Sequence, residues 1–340
     1  MNPIARNDWI DLLRAVSALA VVLFHFNRMP VMVPPDWLAR TWHAVWIHGH
    51  WGVGVFFALS GYCLIPGWIR SPGSRDFFQR RVVRIFPSYW CSLLLVATLA
   101  VATKLLTGVN DVAPLPRDIS AITATVLLVT NPVTTIPTIN WVYWTLSNVL
   151  AFYALIGLVL LWPRPGRIPA LAGLHALLCL VDFTCHPAPA GPLFFIQAWP
   201  IFGLGLAVAI QPLHRRTGWI MLLTSLLHAI WLIGGGADVN HYLAVGGVTL
   251  AVLVLCRDRA FPRWLRPLAW IGKISYSLYL VHVPIGVYVL MRYLPRSYTM
   301  SFLQVGAHLL LLAATTAAAG LFYLVAERPF LSPRHSTPPA

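Results

Sequence analysis

Ten apolar runs of membrane-crossing length divide this chain and decide what it can fold into. They cover residues 9–27, 49–69, 85–105, 140–162, 168–183, 192–211, 218–234, 240–256, 272–292 and 302–326. A helix that crosses a bilayer needs about 20 mostly apolar residues. An eleventh run, 119–130, is too short for that and reads as a re-entrant or interfacial piece. Only 10% of the 340 residues are charged, against roughly 25% in a soluble domain. That is too little charge to cover a water-facing body of this size. The expected fold is all-α: a polytopic membrane protein of about ten transmembrane helices around a polar cavity. Residues 1–330 are expected to form one domain, and 331–340 a short disordered tail.

The net charge of +14 does not point to nucleic acid, because the basic residues sit in short runs between apolar segments. No basic stripe or stacking platform is visible. Threading ten helices from a cytoplasmic N-terminus places 17 Lys and Arg on the cytoplasmic side and 6 on the outer side, with Arg14 inside the membrane. That bias follows the positive-inside rule, so both termini are expected in the cytoplasm. Asp11 and Arg14 interrupt the first apolar run, which therefore reads as a mature helix and not as a cleaved signal. The five cysteines form no CxxC pair and read as packing residues. His43, His48 and His50 match no metal-ligand spacing and read as a solvated loop, so no metal is expected.

Ionisable residues at membrane depth are costly, so they are the candidates for chemistry. In DLLRAVSALAVVLFHF, Arg14 and His25 are eleven residues apart. At about 100° per residue that is close to three turns, which puts both on one face about 16 Å apart. Asp11 shares that face one turn before Arg14. This polar stripe is expected to line a cavity, with Arg14 holding an anion or bracing the site and His25 lying deeper. In GVGVFFALSGYCL, small residues at helical spacing suit close helix packing. Ser60-Gly61 also suits a bend that lines the cavity, and nothing places a base beside Ser60. In FFQRRVVRIFPSYW, Arg81 and Arg84 share a face where the chain enters the third helix. Guanidinium forks pair well with phosphate, and the same run also serves as a topology signal. In GKISYSLYLVHVPI, Tyr276, Tyr279 and His282 precede Pro284 and give a second cavity signal. Glu327, the only glutamate, stands beside Arg328, where a cap or local ion pair is the simplest reading.

Taken in order, these pieces resemble the membrane acyltransferase-3 family, whose members transfer acetyl or other acyl groups to cell-surface carbohydrates. The match rests on D-x-x-R and R-x10-H (Asp11, Arg14, His25), FFALSGY, RRVVRIFPSYW, ISYSLYLVHVP and the final ERP, and runs from residue 9 to 329. The resemblance implies an O-acyltransferase of a bacterial cytoplasmic membrane, without an appended hydrolase-like domain. Its donor would be acyl-CoA, most simply acetyl-CoA. Its acceptor would be a hydroxyl of a cell-surface or exopolysaccharide sugar, free or lipid-linked, with glycan-assembly machinery as a partner. It implies that Arg14 and His25 are the essential pair and that Arg81 and Arg84 belong to the donor site. Asp11, Ser60, Tyr276, His282 and Glu327 remain further cavity candidates. One departure stands out. Where the family reads WSLSVE or WTLSVE, this chain reads WTLSNV, with Val149 in the glutamate's place and Asn148 beside it. Asn148 or Glu327 would have to compensate. A catalytically impaired member is therefore one alternative, and a secondary transporter or flippase for a lipid-linked glycan is another.

Overall fold

The structure, a computed structural model, describes residues 7–28, 36–108, 112–185, 188, 190–233, 239–295 and 297–331. The expected tail beyond 331, and Arg6, Arg296 and Arg334 of the charge count, lie outside the described residues. The chain folds into thirteen α-helices among the described residues: α1 (Asp8–Asn27), α2 (Trp37–Trp46), α3 (Gly52–Arg70), α4 (Ser74–Thr107), α5 (Ile119–Leu127), α6 (Trp144–Val159), α7 (Arg167–Cys185), α8 (Trp199–Ile210), α9 (Arg215–Ile233), α10 (Val239–Cys256), α11 (Arg266–Lys273), α12 (Ser275–Val281) and α13 (Ser301–Phe322).

Each of the ten apolar runs contains a helix, but fewer reach span length. Six helical stretches are long and apolar enough to cross a membrane, and Arg263–Lys273 with Ser275–Tyr293 makes a seventh, bent by 50°. The runs expected at 192–211 and 240–256 form shorter apolar helices, Ile196–Ile210 and His241–Cys256, and α9, over the run expected at 218–234, is not among the candidate spans. Among the described residues, length and composition thus support an all-helical integral membrane protein with six or seven candidate crossings, and do not confirm the ten expected. The eleventh run, α5, has nine residues and is too short to cross.

Two expected helices differ in extent. The helix expected to start at 85 begins at Ser74 and runs 34 residues. Asp76 lies in its first turn and pairs with Arg80 one turn on, which offsets the cost of arginines near a helix N-terminus. The single helix expected over 272–292 is broken after Lys273, then opens into a π-helical turn over His282–Val287. Pro284 lies inside that turn and has no N–H to give the regular ladder. The wider turn takes over, with the Tyr288 N–H donating to the Val283 carbonyl at 2.9 Å.

The helices form two groups. One packs α3, α6, α7 and α8 around Trp68, Phe152, Trp199 and Phe202. The other packs α1, α4, α12 and α13 around Phe26, Tyr89, Leu278 and Leu311. Val149 and Tyr153 of α6 touch both cores, so α6 is the seam between them. Leucines 94, 105 and 106 of α4 point outward at 70%, 81% and 85% exposure, as a lipid-facing surface requires.

Backbone-to-backbone contacts set the spacing. A Cβ at Gly61 would overlap the Phe202 carbonyl, and one at Gly205 would overlap that of Ala58, so α3 and α8 touch main chain to main chain. The small residues of α3 therefore serve packing, and the helix runs unbroken through Ser60 and Gly61. Likewise α1 meets Gly272 of α11 at the Asp11 carbonyl, and Gly49, just before α3, at the Ala20 carbonyl. Gly272→Ala is expected to lower the melting temperature of the detergent-purified protein, since overpacking costs about 1–3 kcal/mol. Gly306→Ala, with open space around it, should leave the melting temperature unchanged. Equal melting curves for the two variants would refute the tight α1–α11 contact.

Candidate active site

A cavity of about 720 Å³ opens between the two helix groups, walled by α1, α3, α4, α6 and α12. Arg14 and His25 both face it, as the periodicity of α1 requires, and Ser60, Arg81, Arg84, Tyr276 and His282 join them. Two sequence candidates are outside the lining. Asp11 is buried, with its backbone against Gly272, and Glu327 is buried behind Arg84.

The Arg14 end is strongly cationic. The Arg81 guanidinium lies against the rings of Phe77 and Tyr153, 5.4 and 5.2 Å from their centroids. The two cation–π contacts orient the planar group. Its Nε is buried without a hydrogen-bond partner among the described residues. Arg84 stands 3.0 Å from Glu327, and the Ser277 hydroxyl donates to the second oxygen of that carboxylate at 2.6 Å. This corrects the sequence reading: Glu327 pairs with Arg84 across the fold, while Arg328 is exposed. Arg80 is held by Asp76 and by Ser71, and does not line the cavity.

The other end is aromatic and centred on two histidines. The rings of His25 and His282 stack at 5.2 Å, and Trp141 meets His25 edge-on at 4.5 Å. His282 Nδ1 lies 2.7 Å from the Tyr279 carbonyl and 3.2 Å from that of Leu278. A carbonyl can only accept, so Nδ1 carries the proton and Nε2 keeps its lone pair. That Nε2 has no partner among the described residues. The Tyr276 hydroxyl donates to the Ile85 carbonyl at 2.9 Å, and the Tyr279 hydroxyl donates to that of Val142 at 2.7 Å. Both tyrosines thus staple α12 to its neighbours, and Tyr276 contributes a wall more than an acid. His50 is no solvated loop residue: it lines the cavity and packs 4.8 Å from Phe24.

An acyltransferase-domain family model matches residues 7–326. The chain belongs to the acyltransferase-3 family. It is 27% identical over 310 residues to Nodulation protein 10 of Rhizobium leguminosarum bv. viciae, covering 82% of each chain. No solved structure matches it. The protein is therefore a membrane acyltransferase, and the matched region contains every lining residue from Arg14 to His282.

In this acyltransferase the departure on α6 has a defined geometry. Val149 faces the cavity, so the position where the family pattern carries glutamate is a lining position. Asn148 is buried outside the lining, and its amide donates to the Trp144 carbonyl at 2.9 Å. Asn148 therefore offers the cavity no polar group. Glu327, outside the lining, pairs instead with Arg84 of α4, which faces the cavity. Three features were missed from the sequence: the stacking of His282 on His25, the place of Trp141, and the Glu327–Arg84 pair. Only the order H-x-P after two tyrosines gave any signal of the first.

Proposed function

We propose that this acyltransferase moves an acyl group, most simply acetyl, from acyl-CoA to a hydroxyl of a surface-glycan sugar, in the cytoplasmic membrane of a bacterium and alongside glycan-assembly machinery. One observation carries the proposal: a single passage has arginines at one end and paired histidines at the other. The phosphates of the donor dock at Arg81, braced by Arg14 and Arg84, at the cytoplasmic end. The pantetheine arm then lies along α1, and its thioester reaches His25. The imidazole takes the proton of the sugar hydroxyl as the oxygen attacks the thioester carbonyl carbon. The C–O bond forms, the C–S bond breaks, and the leaving thiolate recovers the proton from the imidazolium. His282 holds the plane of that imidazole by stacking, with its own orientation set by the carbonyls it is bonded to.

The test is transfer by the purified protein from radiolabelled acetyl-CoA to envelope glycan, read by mass spectrometry. Movement of glycan across a vesicle membrane without modification would refute the reading and favour a transporter. The donor end is tested separately. Arg81→Ala is expected to raise the KM for acetyl-CoA about 10-fold or more, the loss of one charged hydrogen-bond donor set, with kcat little changed. An unchanged donor KM would remove Arg81 from the donor site.

A further inference from the structure

We infer that Trp141 is the platform on which the acceptor sugar ring stacks. This rests on the proposed glycan acceptor and places that substrate within the cavity. Trp141 is 42% exposed although it lines the cavity, and its ring stands at 87° to His25 with centroids 4.5 Å apart. Part of the indole thus meets the reacting imidazole while much of its surface remains uncovered.

The turn that carries Trp141 is fixed on every other side. It is a short 3-10 turn over Trp141–Tyr143, whose Val142 N–H donates to the Asn140 side chain at 3.4 Å. Val142 and Tyr143 are buried, at 4% and 1% exposure. The Tyr143 and Ser92 hydroxyls are 2.8 Å apart, and the Val142 carbonyl accepts from Tyr279. Of the three residues of the turn, only Trp141 presents a large open surface.

Such a surface suits one class of ligand well. The axial C–H face of a hexose is apolar and weakly positive, and matches the negative face of an indole. The ring hydroxyls project from the sugar's edge, so a hexose stacked here presents a hydroxyl toward His25. Arg28 lines the same mouth, with its guanidinium 5.6 Å from the Phe24 ring. A tryptophan that merely anchored the protein at the membrane interface would have no effect on acceptor kinetics.

The experiment uses the purified full chain with acetyl-CoA and two kinds of acceptor: p-nitrophenyl hexosides, which have a ring face, and glycerol, which has none. Trp141→Ala is expected to raise the hexoside KM about 10-fold. The KM for glycerol and for acetyl-CoA should stay within about twofold, and Trp141→Phe, which keeps an aromatic face, should recover most of the loss. Melting temperatures confirm that the variants fold. An unchanged hexoside KM, or equal rises for glycerol and hexoside, overturns the platform while leaving the proposed transfer intact. Wild-type protein that acylates no hydroxyl acceptor overturns the proposed function and the platform together.

Discussion

Replacing His25 with alanine is expected to lower kcat by roughly 10²- to 10⁴-fold, the range that a positioned general base contributes. Protein level, membrane insertion and the KM for acetyl-CoA should not change. The expectation follows from position. His25 faces the cavity at the end away from Arg14, Arg81 and Arg84, between the rings of Trp141 and His282. Alanine removes the imidazole and leaves α1 in place, because that helix is anchored by its backbone. The measurement is label transfer from acetyl-CoA under saturating donor. Full activity in His25→Ala would sink the base assignment. A raised donor KM at unchanged kcat would move His25 to the donor site.

Glu327→Ala has the second largest expected effect, on stability as well as activity. The carboxylate is 1% exposed, accepts from Ser277 at 2.6 Å and pairs with Arg84 at 3.0 Å. Hydrogen bonds to a charged group contribute about 1.5–3 kcal/mol. Because Arg84 is 38% exposed and partly solvated, the ion pair itself adds little beyond that. The melting temperature should fall, and the donor KM should rise as Arg84 loses its brace. Glu327→Gln keeps an acceptor for Ser277 and should recover most of the stability but not the donor affinity. The double variant with Arg84→Ala should be less damaged than the sum of the single changes, as coupled partners show. Additive losses would mean that the two side chains do not act together.

Sequence periodicity made one part of the site legible, because α-helical geometry is rigid. Eleven residues fix the shared face of Arg14 and His25 whatever surrounds them, and one turn does the same for Arg81 and Arg84. Apolar run length located a helix in every expected segment. It did not settle the number of crossings, and run length in sequence says nothing of where a helix breaks: 272–292 breaks after Lys273 and widens at Pro284. Contacts between distant helices were illegible for a plain reason. Glu327 has a cation beside it in sequence, yet its partner is Arg84, brought close only by the packing of α12 and α13 against α4. Trp141 lies in a segment expected to be plain helix, and only the 3-10 turn exposes it.

One feature of the framework bears on how turnover proceeds. The helix carrying Arg14 and His25 is gripped main chain to main chain by Gly272 near its start and by Gly49 near its far end. Its Ala18, Val22, Leu23 and Phe26 pack in one helix group, while its Trp9, Ile10 and Leu13 pack against Val55 and Leu59 of α3 in the other. Rocking one group against the other would have to tear those contacts open. On the proposed reading, the donor arm and the sugar would travel into this cavity while the helices that wall it keep their spacing.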